Sequence, residues 1–426
     1  MVRHYQLKCP TCGTTLEDDG FILDCPTMHE PSLLNTGYMI KELTPYAFAA
    51  GIQRYRNWLP CLGDVCGTGQ TVTYRSERLN RIIGLPNLWM AFNGYWPERG
   101  ATLETTTFKE LEAYAVLARV PKTPDRVLVV ASAGNTAAAF AHSCSQAHQP
   151  CLIVIPEQGL QRMIFQHPLS PCVKVVCLSG NATYSDAIAF AERVSQMEGF
   201  FPEGGVKNVG RRDGIGTTML SAVETIGRLP DYYFQGVGSG TGAIAAHEAA
   251  KRLIGDGRFG HVLPRLILSQ NSPFAPLYHS WKSGRREPLE VDPEIEKMQL
   301  QQIVADVLSN QRPPYAVRGG VYDVLKESLG DMCVANNVET LQAMNLFQEY
   351  EGVDIDPAAG VALATLITAV TSGQLEREAL VLLHITGGRH KHSPDKRQVV
   401  VGPDFQINES EILASKTMER VVNLFG

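Results

Sequence analysis

From residue 121 onward the chain alternates short apolar runs with helical spacing, and that alternation limits its possible folds more than any other feature. Residues 127–131 (VLVVA) are a continuous apolar run, 132–135 read as a turn, 136–148 as an Ala-rich helix, and 151–155 are apolar again. Apolar runs of this length, bounded by turn signals and separated by helical segments, spell a βαβ unit with strands buried on both faces. The switch of period recurs at a strand at 173–178 with helical spacing from Asp186 to Met197, and at a strand at 232–237 before a helix at 243–253. It continues through a strand at 266–269, a helix near 358–370 and a strand at 380–385, and 409–425 reads as a terminal amphipathic helix. The pattern predicts a parallel α/β architecture with its site at the carboxyl ends of strands.

At 426 residues the chain is too long for one compact domain. Pro- and Gly-containing stretches near 121–124 and 201–205 are the expected hinges. They divide the chain into an N-terminal segment (1–35), a larger domain in two parts (36–120 and 206–426) and a smaller inserted domain (121–205). Hydrophobic residues make up 44% and charged residues 19%, which excludes global disorder. A net charge of −6 gives no bulk attraction to nucleic acid or anionic membrane, so any anion must be held locally. The first ten residues have no apolar core of a leader peptide and no stretch has the length of a membrane span, so a cytoplasmic location is expected.

Most of the ten cysteines read as ordinary buried thiols. The exception is the group Cys9, Cys12, Cys25 and His29, a CxxC knuckle followed at hairpin distance by Cys-x3-His. This is the ligand set of a small zinc ribbon, in which Zn2+ substitutes for a core that so short a segment cannot build. A metal-free vestige of such a ribbon is the alternative, because the second half lacks a tight CxxC. Neither version is catalytic, since a closed four-ligand site has no open position.

Four motifs carry chemistry. Thr107 followed by Glu110 predicts a capping box, placing Lys109 in the first turn of a helix that runs to about Val120. A lysine there faces the positive end of the helix dipole, which favours its neutral, nucleophilic form. The turn Ser132-Ala133-Gly134-Asn135 brings a permissive backbone and an amide to a strand end. Gly238-Ser239-Gly240-Thr241-Gly242, between a strand and a helix, offers backbone N–H groups to a phosphate; the spacing fails the dinucleotide fingerprint and fits a monophosphate better. Thr386, ahead of Gly387-Gly388 at another strand end, can hydrogen-bond a heterocycle nitrogen. A helix-start lysine, an asparagine turn, a monophosphate loop and a strand-end threonine are together what pyridoxal phosphate requires.

The sequence Thr107-Phe108-Lys109-Glu110 is similar to the Ser-Phe-Lys-Asp sequence of the threonine synthase group, within the fold-type-II pyridoxal-phosphate enzymes, and the resemblance covers nearly the whole chain. Thr107 and Glu110 depart from the group's wider pattern. The stretches 91–101 (AFNGYWPERGA), 108–113 (FKELEA) and 208–217 (NVGRRDGIGT) resemble one branch of the group that performs β-replacement on O-phospho-L-serine with sulfite. The resemblance implies a tryptophan synthase β-like two-domain fold, and a homo-oligomer with a dimer as the first expectation. It also implies that Lys109 carries the cofactor, Asn135 contacts its phenolic oxygen and Thr386 faces its ring nitrogen.

Threonine cannot hold the ring nitrogen protonated as a carboxylate would, which suits elimination and replacement better than transamination. Both substrates of that branch are anions, so Arg211 and Arg212 are candidates to bind them, with Thr105 and Thr106 as hydroxyl donors; a solvated loop is the alternative for the arginines. Trp96 and Arg99 either shape the substrate pocket or form an exposed turn. His142, His148, His384, His390 and His392 receive no role. Threonine synthase activity on O-phosphohomoserine, a different nucleophile on phosphoserine, and a binding protein that lost its chemistry are the rival functions.

Overall fold

The computed structural model describes residues 4–122, 125–389, 399–412 and 414–426. Its larger sheet has six strands in the order Asp331–Ala335, Arg265–Asn271, Tyr232–Gly236, Val381–Ile385, Leu88–Phe92 and Val72–Arg75, parallel except for the last pair. A second, all-parallel sheet has five, in the order Phe200–Pro202, Val127–Ala131, Cys151–Pro156, Val173–Ser179 and Phe405–Asn408. Val381–Ile385 and Cys151–Pro156 are buried along their whole length, which is why they read as unbroken apolar runs rather than alternating ones.

The two ends of the chain differ from expectation. Phe405–Asn408 had been expected with the larger domain, yet it pairs with Val173–Ser179 and lies at the edge of the smaller sheet. The following helix, Ser415–Val422, buries Met418 and Val421 in the same core as Phe190 and Leu178. A returning strand satisfies backbone groups that the open edge of Val173–Ser179 would otherwise leave unpaired. We propose that the smaller unit comprises 121–205 together with this C-terminal strand and helix. At the other end, Tyr5–Lys8, Thr15–Leu16 and Asn35–Tyr38 make a three-stranded antiparallel sheet that runs past residue 35. Tyr5, Leu7 and Cys9 are buried in one cluster with Leu220 and Leu253 of the larger body.

Three helices set the site. Lys109–Arg119, the lysine helix, packs against Val209–Ile226 and Asn135–Ala147. The first approach is close because position 214 is glycine: a Cβ there would lie 2.4 Å from the Leu111 carbonyl oxygen. The far end of the lysine helix is anchored to the N-terminal segment. Arg119, fully buried, donates to Asp18 from Nε at 2.8 Å and Nη2 at 2.9 Å, and from Nη1 to Asn208 Oδ1 at 2.9 Å. Among the described residues no helix is long and apolar enough to cross a membrane.

Candidate active site

A cleft of about 830 Å³, open mouth included, receives the strand ends of both sheets. Lys109, Asn135, the loop Gly238–Gly242 and Thr386 all line it, so four motifs separated by up to 277 positions in sequence meet in one place. The strand Tyr232–Gly236 leads into the glycine loop and Val381–Ile385 delivers Thr386, while the turn after Val127–Ala131 delivers Asn135 as the first residue of its helix.

Lys109 is the first residue of its helix, as expected, but the capping box does not form. Thr107 Oγ is buried without a partner, and the Glu110 carboxylate instead accepts from Thr105 N and Thr105 Oγ1, both at 2.7 Å, and from the Tyr114 hydroxyl. The loop reaches the helix through Thr106 in the left-handed region (φ 62°), which turns Glu110 back under residues 104–105. Burial holds the Lys109 amine below its usual range; Glu112 partly opposes this and Arg211 adds to it. Glu112 Oε2 is 3.3 Å from Lys109 Nζ. Glu112 Oε1 accepts from Thr136 Oγ1 at 3.1 Å and lies 3.3 Å from Arg211 Nη1. Arg211 also donates from Nε to Glu203 Oε1 at 2.8 Å.

The donor set fits pyridoxal phosphate. The helix Thr241–Asp256 receives no side-chain cap from Gly240 (φ 78°), and its first N–H, that of Thr241, is held only by Ser239 Oγ at 3.3 Å. The residues of this turn line the cleft with their backbone N–H groups at a helix N-terminus suited to an anion. Ser239 Oγ and Thr241 Oγ1, 2.9 Å apart, stand beside them. An amine of lowered basicity, Lys109 Nζ, lines the same cleft and is the group that would take the cofactor's aldehyde.

The family described as "Pyridoxal-phosphate dependent enzyme" matches residues 67–387. A cysteate synthase of Methanocorpusculum labreanum is 44% identical over 392 residues, 91% of this chain and 93% of its own. That of Methanoculleus marisnigri is 44% identical over 423 residues, 99% of this chain and 97% of its own. The chain belongs to the pyridoxal-phosphate-dependent cysteate synthases. Among solved structures, maize serine racemase shares the fold with a TM-score of 0.57 at 17% identity, covering 76% of this chain and 90% of that one. A tomato (Solanum lycopersicum) threonine deaminase gives 0.54 at 18%, covering 76% and 86%.

Within this cysteate synthase fold the expected anion-binding residues separate. Arg211 lines the cleft. Arg212 does not: its Nε is 3.0 Å from both Glu248 oxygens, and its other nitrogens donate to the carbonyls of Val206 and Leu34. Both arginines lie on a helix, where consecutive side chains diverge by about 100°, so the pair could not share one task. Thr105 and Thr106 also lie outside the lining, the first bound to Glu110 and the second giving its carbonyl to Gly388 N at 3.0 Å. Arg99 stacks on Tyr74 and Trp96 at 4.5 and 4.6 Å, away from the cleft. His384 is buried between Asn93 Nδ2 (2.7 Å) and the Tyr233 hydroxyl (2.6 Å). His390 and His392 lie outside the described residues.

The sequence reading passed over Glu112, Glu203, Tyr184 and Asp356. The last two line the cleft, and burial holds the Asp356 carboxyl above its usual range. Glu112 was findable, because three residues from Lys109 on a helix is one face.

At the N-terminus, Cys9, Cys12, Cys25 and His29 present ligand atoms all within 4.8 Å of one another. Cys9 Sγ is 3.3 Å from His29 Nε2, and Cys12 Sγ is 3.6 Å from Cys25 Sγ. A tetrahedral Zn–S distance of about 2.3 Å implies ligand separations of about 3.8 Å, so these four atoms stand nearly at coordination spacing.

Proposed function

We propose that this cleft replaces the phosphate of O-phospho-L-serine with sulfite, releasing L-cysteate and inorganic phosphate. The observation that carries the reading is the meeting of Lys109, Asn135, Thr386 and the glycine loop Gly238–Gly242 in one cleft of a chain related to cysteate synthases from end to end. Pyridoxal phosphate, when bound, supplies the carbonyl carbon that engages amines and the ring that draws electron density from Cα. The loop Gly238–Gly242 would hold its phosphate, Asn135 its phenolic oxygen and Thr386 its ring nitrogen.

Lys109 Nζ, kept low in basicity by its burial, takes the Cα proton: the C–H bond breaks and an N–H bond forms. The electron pair released at Cα drives the Cβ–O bond to break, and phosphate leaves with the bonding pair. Sulfite forms the new C–S bond with its sulfur lone pair, and Lys109 returns the proton to Cα. Arg211 faces the anions, and the N-terminus of the helix Asn135–Ala147 adds a second favourable field. We also propose a structural zinc in the N-terminal knuckle, where the His29 Nδ1 contact to the Glu30 carbonyl at 2.6 Å turns Nε2 toward the sulfurs.

The test is product analysis with purified protein, pyridoxal phosphate, O-phosphoserine and sulfite. Cysteate and phosphate formed in equal amounts, both abolished in Lys109→Ala, support the reading. Turnover of O-phosphohomoserine to threonine, with none of phosphoserine, would replace it.

A further inference from the structure

The acid beside the lysine stands at an unusual junction. Glu112 is fully buried, and its two oxygens serve different cations: Oε2 is 3.3 Å from Lys109 Nζ, and Oε1 is 3.3 Å from Arg211 Nη1. Arg211 is held more closely by Glu203, at 2.8 Å from Nε. Lysine, arginine and two carboxylates therefore form a formally neutral cluster. A cluster balanced in this way tolerates burial, whereas one with an uncompensated charge does not.

Both tasks assigned to Lys109 upset that balance. A covalent bond through Nζ, or use of the free amine as a base, requires Nζ to lose a proton, leaving two carboxylates to one guanidinium. Neutrality returns if one carboxylate is protonated. Glu203 is tied to Arg211 by a short bond, whereas Glu112 is tied more loosely and already lies beside Nζ.

We propose that Glu112 is a positioning residue for Lys109: a counter-ion shared with Arg211 that holds the lysine of cofactor-free protein as an ammonium and accepts its proton when the amine is put to use. In that step an N–H bond of Lys109 breaks, an O–H bond of Glu112 forms, and the amine keeps the electron pair. The other groups facing the pair are Arg211 and Glu203, Tyr184 from the helix Tyr184–Ser195, His384 from Val381–Ile385, and the Thr136 hydroxyl. Among the described residues only Glu112 places a carboxylate oxygen within 4 Å of Nζ.

The inference rests on Lys109 as the cofactor-bearing residue, and its test keeps the two apart. Cofactor-stripped protein is mixed with pyridoxal phosphate across a pH series, and capture is followed by visible absorbance; borohydride fixation and peptide mapping show where the label sits. If wild-type protein fixes no label at Lys109, the assignment of the lysine fails, whatever Glu112 does. If it does, Glu112→Gln should move the midpoint of the capture–pH curve downward by about one unit or more, about ten-fold in proton concentration, because an adjacent anion no longer favours the ammonium.

A merely structural role would lower capture at every pH without moving the midpoint. Glu112→Asp keeps the charge but withdraws it by one methylene, so a smaller shift in the same direction is expected. It also decides the matter if the glutamine variant does not fold. Midpoints coincident with wild type in the folded variants would overturn the proposal.

Discussion

His384 makes acid sensitivity of the fold calculable. Its ring is buried, and burial together with the nearby Lys109 ammonium holds it down to about 3 from an ordinary value near 6.5. The hydrogen bonds agree. Asn93 Oδ1 accepts from Thr71 Oγ1 at 2.6 Å, which leaves Nδ2 to donate toward His384 Nε2, so that nitrogen is the acceptor and a proton there would confront a donor. In the unfolded chain the ring takes up a proton below about pH 6.5, whereas the folded ring resists until about pH 3. Acid therefore favours unfolding throughout that window, and stability falls as pH drops. At about 1.4 kcal/mol per pH unit below the unfolded value, the step from pH 7 to pH 5 costs about 2 kcal/mol from this one residue. Urea denaturation of wild type and His384→Asn at both pH values measures it, the variant lacking that part of the loss. If the two proteins lose the same stability between pH 7 and pH 5, the ring is not held neutral and the reasoning fails.

Arg211→Met should destabilise the protein by about 3–5 kcal/mol in urea denaturation, because it strands Glu112 and Glu203 together; adding Glu203→Gln should restore part of that loss. Gly134→Ala should cut kcat about ten-fold or more, since its φ of 153° suits glycine and a Cβ would meet Arg162 Cδ at 2.4 Å, displacing the Asn135 turn. Metal analysis should find about one zinc per chain, and Cys25→Ala should lose it and raise hydrogen exchange in the Tyr5–Lys8 strand; zinc-free wild-type protein with unchanged exchange would sink the ribbon assignment.

What the sequence discloses depends on whether the deciding interaction is local. Six of the eleven strands in the two sheets, Val127–Ala131, Cys151–Pro156, Val173–Ser179, Tyr232–Gly236, Arg265–Asn271 and Val381–Ile385, were readable because each is buried along almost its whole length, whereas Val72–Arg75, Leu88–Phe92, Phe200–Pro202 and Asp331–Ala335 were not read. The glycine loop, Asn135 and Thr386 sit at strand ends, and that position together with residue type marked them as candidates before the cleft brought them together. Phe405–Asn408 is four residues of mixed polarity whose strand conformation comes from the partner edge at Val173–Ser179, 229 positions away, and local propensity carries no trace of that partner. Thr107 and Glu110 satisfied one local rule that other local contacts defeated, since Tyr114, one turn along the helix, and the backbone of 104–105 compete for the same carboxylate. Arg211 and Arg212 were indistinguishable as a dipeptide, and only helix geometry sends one into the cleft and the other onto Glu248. Glu112 shows the limit most clearly. Its spacing from Lys109 was visible, but an acid three residues from a lysine is an ordinary solvated pair until a second cation and a second acid, brought by Arg211 and Glu203, bury it and make its proton matter.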